Sequence, residues 1–210
     1  MSISYIKEVC VETLAQCIAA EKQGADRLEL CSRLDLDGLT PNLCLVEEVI
    51  KKVSIPVRIM IRPRGGNFIY NEMDLEQMKK SIELLNKFSI DGIVTGVLTD
   101  SNELNIEVIK WLIQIAAPLP VIIHKSIDIT RNPLKEIDRL KNLSGNLSVL
   151  TSGGLGNAFD NIDVLKQMIK LADNQINIIV AGGITNKNLP KLHRRIQANE
   201  YHGKRIVGKV

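Results

Sequence analysis

The chain has 210 residues, of which 45% are apolar and 24% charged, and its net charge is +3, as in ordinary soluble globular proteins. Basic and acidic residues are interleaved and aromatic residues make up only 3%, which argues against a nucleic-acid partner. The sequence shows no signal-peptide pattern and no apolar run near the roughly 20 residues that span a bilayer, so we expect a cytoplasmic protein without a membrane partner.

Short strand-like runs alternate with amphipathic helical runs about eight times along the chain. The predicted strands cover residues 6–11, 27–31, 57–61, 92–96, 121–124, 148–151, 177–181 and 202–207. The predicted helices cover residues 13–23, 43–52, 75–87, 106–115, 134–141, 162–171 and 189–196. This alternation predicts parallel strands. Eight of them favour a TIM-like (β/α)8 barrel over the alternative, an open doubly wound sheet.

The sequence ends at Val210, shortly after the eighth predicted strand. Because a complete barrel carries an eighth helix, we expect that helix to be short, missing or replaced by a partner chain. Residues 1–210 show no linker or low-complexity segment, and the whole chain is predicted to be one TIM-barrel domain.

The first two predicted strands carry similar patterns of polar residues. Side chains alternate along a strand, so Glu8 and Cys10 share one face, and Arg27, Glu29 and Cys31 share one face of the next strand. We expect these faces to point into the barrel and the apolar faces to meet the helices. Glu8 and Glu29 are therefore candidate acid–base residues, and Arg27 is a candidate substrate-binding residue.

Cys10 and Cys31 are candidate metal ligands. Neighbouring strands lie about 4.8 Å apart, so the two thiols could reach one soft ion if the strands pair in equivalent register. Two thiolates suit Cu(I) or, with further ligands, Zn(II). The alternative, that both are small buried apolar residues, stays open. Cys17 and Cys44 lie in predicted helices, where a structural role is favoured.

The third predicted strand ends in two arginines and a glycine pair: Arg62, Arg64, Gly65 and Gly66. Arginine presents a fork of donors that suits a carboxylate or a phosphate, and glycines let the backbone approach a ligand closely. This stretch predicts a binding site for a small anion.

Polar residues also follow the fifth predicted strand, where His124 and Asp128 are further candidates for acid–base catalysis. The alternative for all these charged groups is mutual neutralisation inside the barrel. Glycine pairs follow the sixth and seventh strands, and backbone amides after late barrel strands often bind phosphate; plain turns are the alternative. The candidate binding residues from this part of the chain are Ser152, Gly153, Gly182, Gly183 and His202. His193 is interpreted as solvated surface.

Several of these stretches together resemble the CutC family of copper homeostasis proteins. The matching segments are EVC at 8–10, GADRLELC at 24–31, GLTP at 38–41, IRPRGGNFIY at 61–70, DGIVTGVLT at 91–99, the segment at 124–128, LTSGG at 150–154 and YHG at 201–203. The resemblance implies a cytosolic barrel with its site at the carboxyl ends of the strands, Cu(I) bound by Cys10 and Cys31, and a homo-oligomer. The chain departs from the family pattern at Asp37, Asn67 and Lys125.

Two functions remain open from the sequence. The first is a copper homeostasis protein that binds Cu(I). The second is an enzyme that applies acid–base chemistry to a small carboxylated or phosphorylated substrate. A scaffold whose site has decayed is a third possibility.

Overall fold

The computed structural model describes residues 5–210, in which eight parallel strands close into a barrel. The strands are β1 (Ile6–Val11), β2 (Arg27–Leu30), β3 (Val57–Met60), β4 (Gly92–Thr95), β5 (Val121–Ile123), β6 (Leu147–Thr151), β7 (Asn177–Val180) and β8 (Glu200–His202). Each strand pairs with the next along the chain, and β8 pairs with β1. The predicted (β/α)8 barrel is confirmed.

Seven helices connect the strands within the described residues. They are α1 (Leu14–Lys22), α2 (Leu43–Lys52), α3 (Glu72–Leu85), α4 (Ile106–Ala116), α5 (Pro133–Lys141), α6 (Ile162–Ala172) and α7 (Leu189–Ile196). Residues 203–210 form no helix, as expected for the last unit of this chain. None of the helices in the described part is long and apolar enough to cross a membrane.

Local sequence explains where several helices begin. Asn42, Asn71 and Asn132 each precede a helix, and each side chain accepts a hydrogen bond from a backbone N–H of the first turn. This satisfies donors that have no partner within the helix. The caps fix the turns that lead from the carboxyl ends of the strands into the helices, which is the end of the barrel that bears the site.

Side chains alternate between the two faces of each strand, so the apolar residues form two separate clusters, one on each face of the sheet. Val9, Leu28 and Ile59 belong to a large core between the strands and the helices. A smaller cluster fills the inside of the barrel and consists of Cys10, Cys31, Met60, Val94, Ile122, Leu150, Ile179 and Ala181. The predicted facing of the first two strands is therefore correct.

Two predictions about the strands need correction. The eighth strand is Glu200–His202 rather than residues 202–207, because Glu200 and Tyr201 pair with β7 and the chain leaves the barrel after His202. The register also differs from equivalence, since Cys10 lies opposite Glu29 and not opposite Cys31. The stagger follows from closure, because strands must tilt and shift to form a barrel.

The interpretation of His193 as solvated surface was wrong. Its side chain is half-buried, and its Nδ1 lies 2.9 Å from the Tyr201 hydroxyl. Its ring centroid lies 4.7 Å from that of Tyr5. The basic neighbours of His193 in the sequence therefore misled the prediction.

Cys44 is on the exposed side of α2, whereas Cys17 is fully buried.

Candidate functional site

A network of ion pairs fills the barrel near the amino ends of the strands; we call it the lower layer. The buried Glu8 carboxylate accepts hydrogen bonds from Arg27 and from Arg58, the latter at 3.1 Å. Arg27 also pairs with Glu200, and Arg58 Nε donates to Asp91 Oδ2 at 3.0 Å. Each buried cation thus meets carboxylates. The lower layer neutralises itself, which is the arrangement that makes buried charges tolerable.

His202 links the lower layer to the cavity above it. Its Nδ1 lies 2.9 Å from Glu8 Oε1. Burial alone would raise the pKa of Glu8, but His202, Arg27 and Arg58 lower it to about 2. The pKa of His202 is held well above its usual range, because the charges of Glu29 and Glu8 outweigh the opposing effect of burial. His202 is therefore protonated and pairs with the ionised Glu8.

Above this layer, two thiols and a carboxylate meet in what we call the thiol cluster. Cys10 Sγ and Cys31 Sγ are 3.7 Å apart, and Glu29 Oε1 lies 3.5 Å and 3.3 Å from them. Cys31 directly follows β2 and its backbone N–H donates to Val11 O at 2.9 Å, which brings it level with the end of β1. The ligand atoms of the three residues lie within 4.8 Å of one another, close enough for one metal ion.

The thiol cluster has uneven protonation. A hydrogen bond from Cys31 lowers the pKa of Cys10 to about 5, and the same bond with burial raises the pKa of Cys31 well above its usual range. Burial raises the pKa of Glu29 to about 8, with a further contribution from the negative charges of Cys10 and Glu8. At neutral pH the cluster therefore offers one thiolate beside a carboxyl group that keeps its proton.

A cavity of about 430 Å³ opens above the thiol cluster at the carboxyl end of the barrel. Of the residues singled out in the sequence, the following line it: Cys10, Glu29, Arg62, His124, Asp128 and His202. The others lie outside its lining: Glu8, Arg27, Cys31, Arg64, Gly65, Gly66, Ser152, Gly153, Gly182 and Gly183. Glu8 and Arg27 serve the lower layer instead, and Cys31 lies behind Cys10.

The two arginines after β3 have different environments. Arg62 is 3% exposed and donates to the carbonyl oxygens of Leu36 at 2.7 Å, Gly38 at 3.2 Å and Gly66 at 2.9 Å. Arg64 is half-buried and pairs with Asp74 at 2.9 Å, near the start of α3. Arg62 therefore belongs to the cavity wall, while Arg64 anchors the loop to a helix.

The glycine pair after β6 does not leave its amides free for a phosphate. The Asp128 carboxylate accepts from the Ser152 N–H at 2.9 Å, the Ser152 hydroxyl at 2.6 Å and the Gly154 N–H at 3.2 Å. A Cβ on Gly182 would lie 2.7 Å from Ser152 Cβ, so the loops after β6 and β7 pack tightly together. Asp128 thus occupies the position that a phosphate was expected to take.

His124 lies on the cavity wall beside Arg62. Its Nδ1 accepts from the Ser126 N–H at 3.1 Å, which helps to start a short 3-10 turn at residues 125–129. Burial, together with the charge of Arg62, lowers the pKa of His124 to about 3. The imidazole is therefore neutral, with its proton on Nε2.

Sequence reasoning missed several residues that shape this region. Arg58, Asp91 and Glu200 complete the lower layer, and Phe68 and Lys204 line the cavity. Arg58 shares the inward strand face of Arg62, so its direction follows from the sequence, but its ion pairs with Glu8 and Asp91 do not. Asp91 and Glu200 sit at or before the first residues of their strands, where a shift of one or two positions in a predicted boundary hides their direction.

Fold and site together define a class: a TIM barrel whose carboxyl end holds a pair of cysteines beside a buried carboxylate. The model of the CutC family matches residues 5–207. The human copper homeostasis protein cutC homolog is 38% identical over 198 residues, which cover 94% of this chain and 72% of the human protein. A CutC family protein of Enterococcus faecalis is 37% identical over 209 residues, covering 96% of this chain and 100% of that one.

A solved structure agrees with these sequence relatives. The crystal structure of CutC from Streptococcus agalactiae superposes with a TM-score of 0.88 at 31% identity, covering 96% of this chain and 99% of that one. The chain belongs to the CutC family, as the sequence resemblance indicated.

Proposed function

We propose that this protein binds Cu(I) between Cys10 and Cys31 as part of copper homeostasis. The observation that carries the proposal is the 3.7 Å separation of the two sulfur atoms. Metal–sulfur bonds to thiolates measure about 2.3 Å, so a single ion can bridge this gap. Soft thiolates select the soft Cu(I) ion.

The surroundings of the two thiols favour Cu(I) over Zn(II). Structural zinc sites are almost always four-coordinate. Here the imidazole of His202 is engaged by Glu8, and the group within 4.8 Å has three members, Cys10, Cys31 and Glu29. Two of the three are soft sulfur ligands, and a bound ion displaces the proton that Cys31 holds. All four cysteines are free, which fits a reducing compartment such as the cytoplasm.

A competition titration tests the proposal. Reduced protein is titrated with Cu(I) against a coloured Cu(I) chelator, and we expect a single tightly bound ion per chain. The Cys10→Ser, Cys31→Ser double variant should lose it. Cys44→Ser is the matched control, because Cys44 is exposed on α2, and it should bind as the wild type does. Equal affinity in the wild type and the double variant would contradict the proposal.

A second candidate function is supported by the environment of Glu29. A carboxyl group with a pKa of about 8 on a cavity wall can donate and accept a proton near neutral pH. With His202 below it and Arg62 on the same wall, the cavity has the parts for proton transfer on a small carboxylated or phosphorylated substrate.

Proton exchange provides the test of this second function. Metal-free protein is incubated in D2O with a panel of small carboxylates and phosphates that bear an acidic C–H bond, and exchange is followed by proton NMR. We expect exchange with at least one compound and its loss in Glu29→Gln. Equal exchange in the wild type and Glu29→Gln, or none across the panel, would exclude Glu29 as the general base.

A further inference from the structure

Two donors on the cavity wall are buried and have no hydrogen-bond partner within the described residues: Arg62 Nε and His124 Nε2. Arg62 is 3% exposed and His124 is 6% exposed. The other nitrogens of Arg62 donate to carbonyl oxygens, and His124 Nδ1 accepts from Ser126. A buried N–H without an acceptor costs free energy. The Tyr70 hydroxyl beside Arg62 is also without a partner, so the indication of a missing ligand rests on His124 Nε2 together with the charge of Arg62.

The charge of Arg62 is also unmatched. In the part of the chain that the structure describes, no carboxylate lies within ion-pair distance of it, whereas Arg27, Arg58 and Arg64 all have one. A buried charge without a counter-charge is strongly unfavourable. His124 is neutral, because burial and Arg62 lower its pKa to about 3, so it supplies a donor but no charge and Arg62 supplies the charge. The wall therefore favours an anion.

The side chains of Arg62 and His124 both pack against the aromatic ring of Phe68. The Arg62 guanidinium carbon lies 4.8 Å from the ring centroid, and the His124 ring centroid lies 4.7 Å from it. The ring packs against both side chains and limits their freedom. Lys125 and Lys204 line the same cavity and add positive charge.

We propose that Arg62 and His124 form a binding subsite for the carboxylate of a small organic acid. Two N–H donors on side chains that both pack against Phe68 could each donate to one oxygen of a planar carboxylate. A phosphate fits less well, because Asp128 already occupies the amides after β6. Met60 and Leu150 supply apolar wall for a short hydrocarbon body. The proposal deepens the second function above, on which the role of this acid as a substrate rests.

Binding of propionate to the reduced, metal-free, full-length protein tests the subsite. Chemical shifts of the arginine Nε–H and histidine side chains are followed by NMR during titration at constant ionic strength. Propionamide, which has the same shape without the charge, is the ligand control, and inorganic phosphate is the competitor of different geometry. We expect propionate to shift the Arg62 Nε–H resonance, and we expect propionamide and phosphate to bind more weakly than propionate.

Variants then assign the binding to these side chains. Arg62→Lys keeps the charge and removes the Nε–H. In His124→Asn the new side chain can still cap the turn through Ser126 but cannot supply the Nε2–H. We expect each of Arg62→Lys and His124→Asn to weaken propionate binding by at least about tenfold. Arg64→Lys is the matched control and should bind propionate as the wild type does.

The outcomes separate the subsite from the function built on it. Equal propionate binding by the wild type and Arg62→Lys, equal binding of propionate and propionamide, or tighter binding of phosphate would each overturn the subsite. Should Arg62→Lys fail to fold, His124→Asn and the propionamide comparison decide the matter. Tight propionate binding without any proton exchange leaves the subsite standing and removes only the enzymatic function.

Discussion

The inside of the barrel holds two layers that follow opposite rules. In the lower layer Glu8, Arg27 and Arg58 satisfy one another with Glu200 and Asp91. Among the described residues, the buried side-chain nitrogen and oxygen atoms without a partner belong to the upper part of the barrel and its loop: Glu29, Arg62, Tyr70 and His124. Compensated charge at the amino ends of the strands serves stability, while unmatched groups at the carboxyl ends serve ligands.

The largest stability effect is expected from breaking the lower layer. Glu8→Gln keeps the shape of the side chain but leaves Arg27 and Arg58 short of a counter-charge, so we expect a loss of about 4 kcal/mol in the free energy of unfolding at pH 7. Urea denaturation measures it. Glu47→Gln, in an exposed pair with Lys51 at 2.6 Å, is the control and should change stability by less than about 0.5 kcal/mol.

The pH dependence gives this prediction its sign. The pKa of Glu8 is lowered from 4.5 to about 2, so its stabilising contribution is complete above 4.5 and is lost as the pH falls toward 2. The gap between the wild type and Glu8→Gln should therefore shrink across that window. A gap that stays constant down to pH 2 would mean that the ionised carboxylate is not the source of the stability.

In the thiol cluster, neutral replacement of a buried glutamate is expected to raise the free energy of unfolding rather than lower it. The pKa of Glu29 is raised from 4.5 to about 8 by burial, so between these pH values the folded protein holds a proton that the unfolded chain releases, and stability falls as the pH rises. Glu29→Gln removes this cost and should raise the free energy of unfolding at pH 8 by about 3 kcal/mol. The gain should be small near pH 5.

Urea denaturation at pH 5 and pH 8 checks the Glu29 prediction. This measurement distinguishes the two layers, because Glu8→Gln is expected to destabilise the protein and Glu29→Gln to stabilise it. A loss of stability in Glu29→Gln at pH 8 would place Glu29 among the compensated groups and contradict the division into two layers.

The sequence predicted which face of a strand a side chain lies on, but not the register between neighbouring strands. The two-residue period of strands placed Glu8, Cys10 and Glu29 inside, and the structure confirms it. Arg27 begins β2 and Arg62 follows β3, so the predicted strands already place the two arginines at opposite ends of the barrel. The stagger between neighbouring strands is imposed by barrel closure, and no local pattern encodes it.

Long-range contacts account for the rest of what was missed. The thiols meet although β2 is shifted by two residues against β1, so that Cys10 faces Glu29; Cys31 follows the end of β2, and its Sγ still lies 3.7 Å from that of Cys10. The amides of Ser152 and Gly154 are taken by Asp128, which comes from the preceding βα loop. A glycine pair predicts free amides, but only the packed structure shows which side chain already uses them.

A smaller loss of stability is expected from a substitution beside His124, where the cavity wall is closely packed. A Cβ on Gly96 would lie 2.6 Å from His124 Cε1 and would also clash with the Ser126 hydroxyl. Gly96→Ala should therefore displace His124, cost about 2 kcal/mol of stability and weaken propionate binding. Gly65→Ala, whose added Cβ would find its nearest neighbour at 3.6 Å, is the control for thermal denaturation and binding. Unchanged propionate affinity in Gly96→Ala would show that the position of His124 is unimportant to the subsite.

The smallest effect is expected at the cavity rim, where Lys125 lines the cavity. Its ammonium lies 3.8 Å from Asp128 Oδ2 and its side chain is 46% exposed, while Asp128 is already held by the amides and hydroxyl of Ser152. An exposed ion pair to a carboxylate that has other donors contributes little. Lys125→Arg should therefore change the free energy of unfolding by less than about 0.5 kcal/mol, measured by urea denaturation beside Glu8→Gln. A change as large as that of Glu8→Gln would mean that Asp128 depends on this cation. The charges at the rim would then stabilise the fold by pairing with one another, as those of the lower layer do.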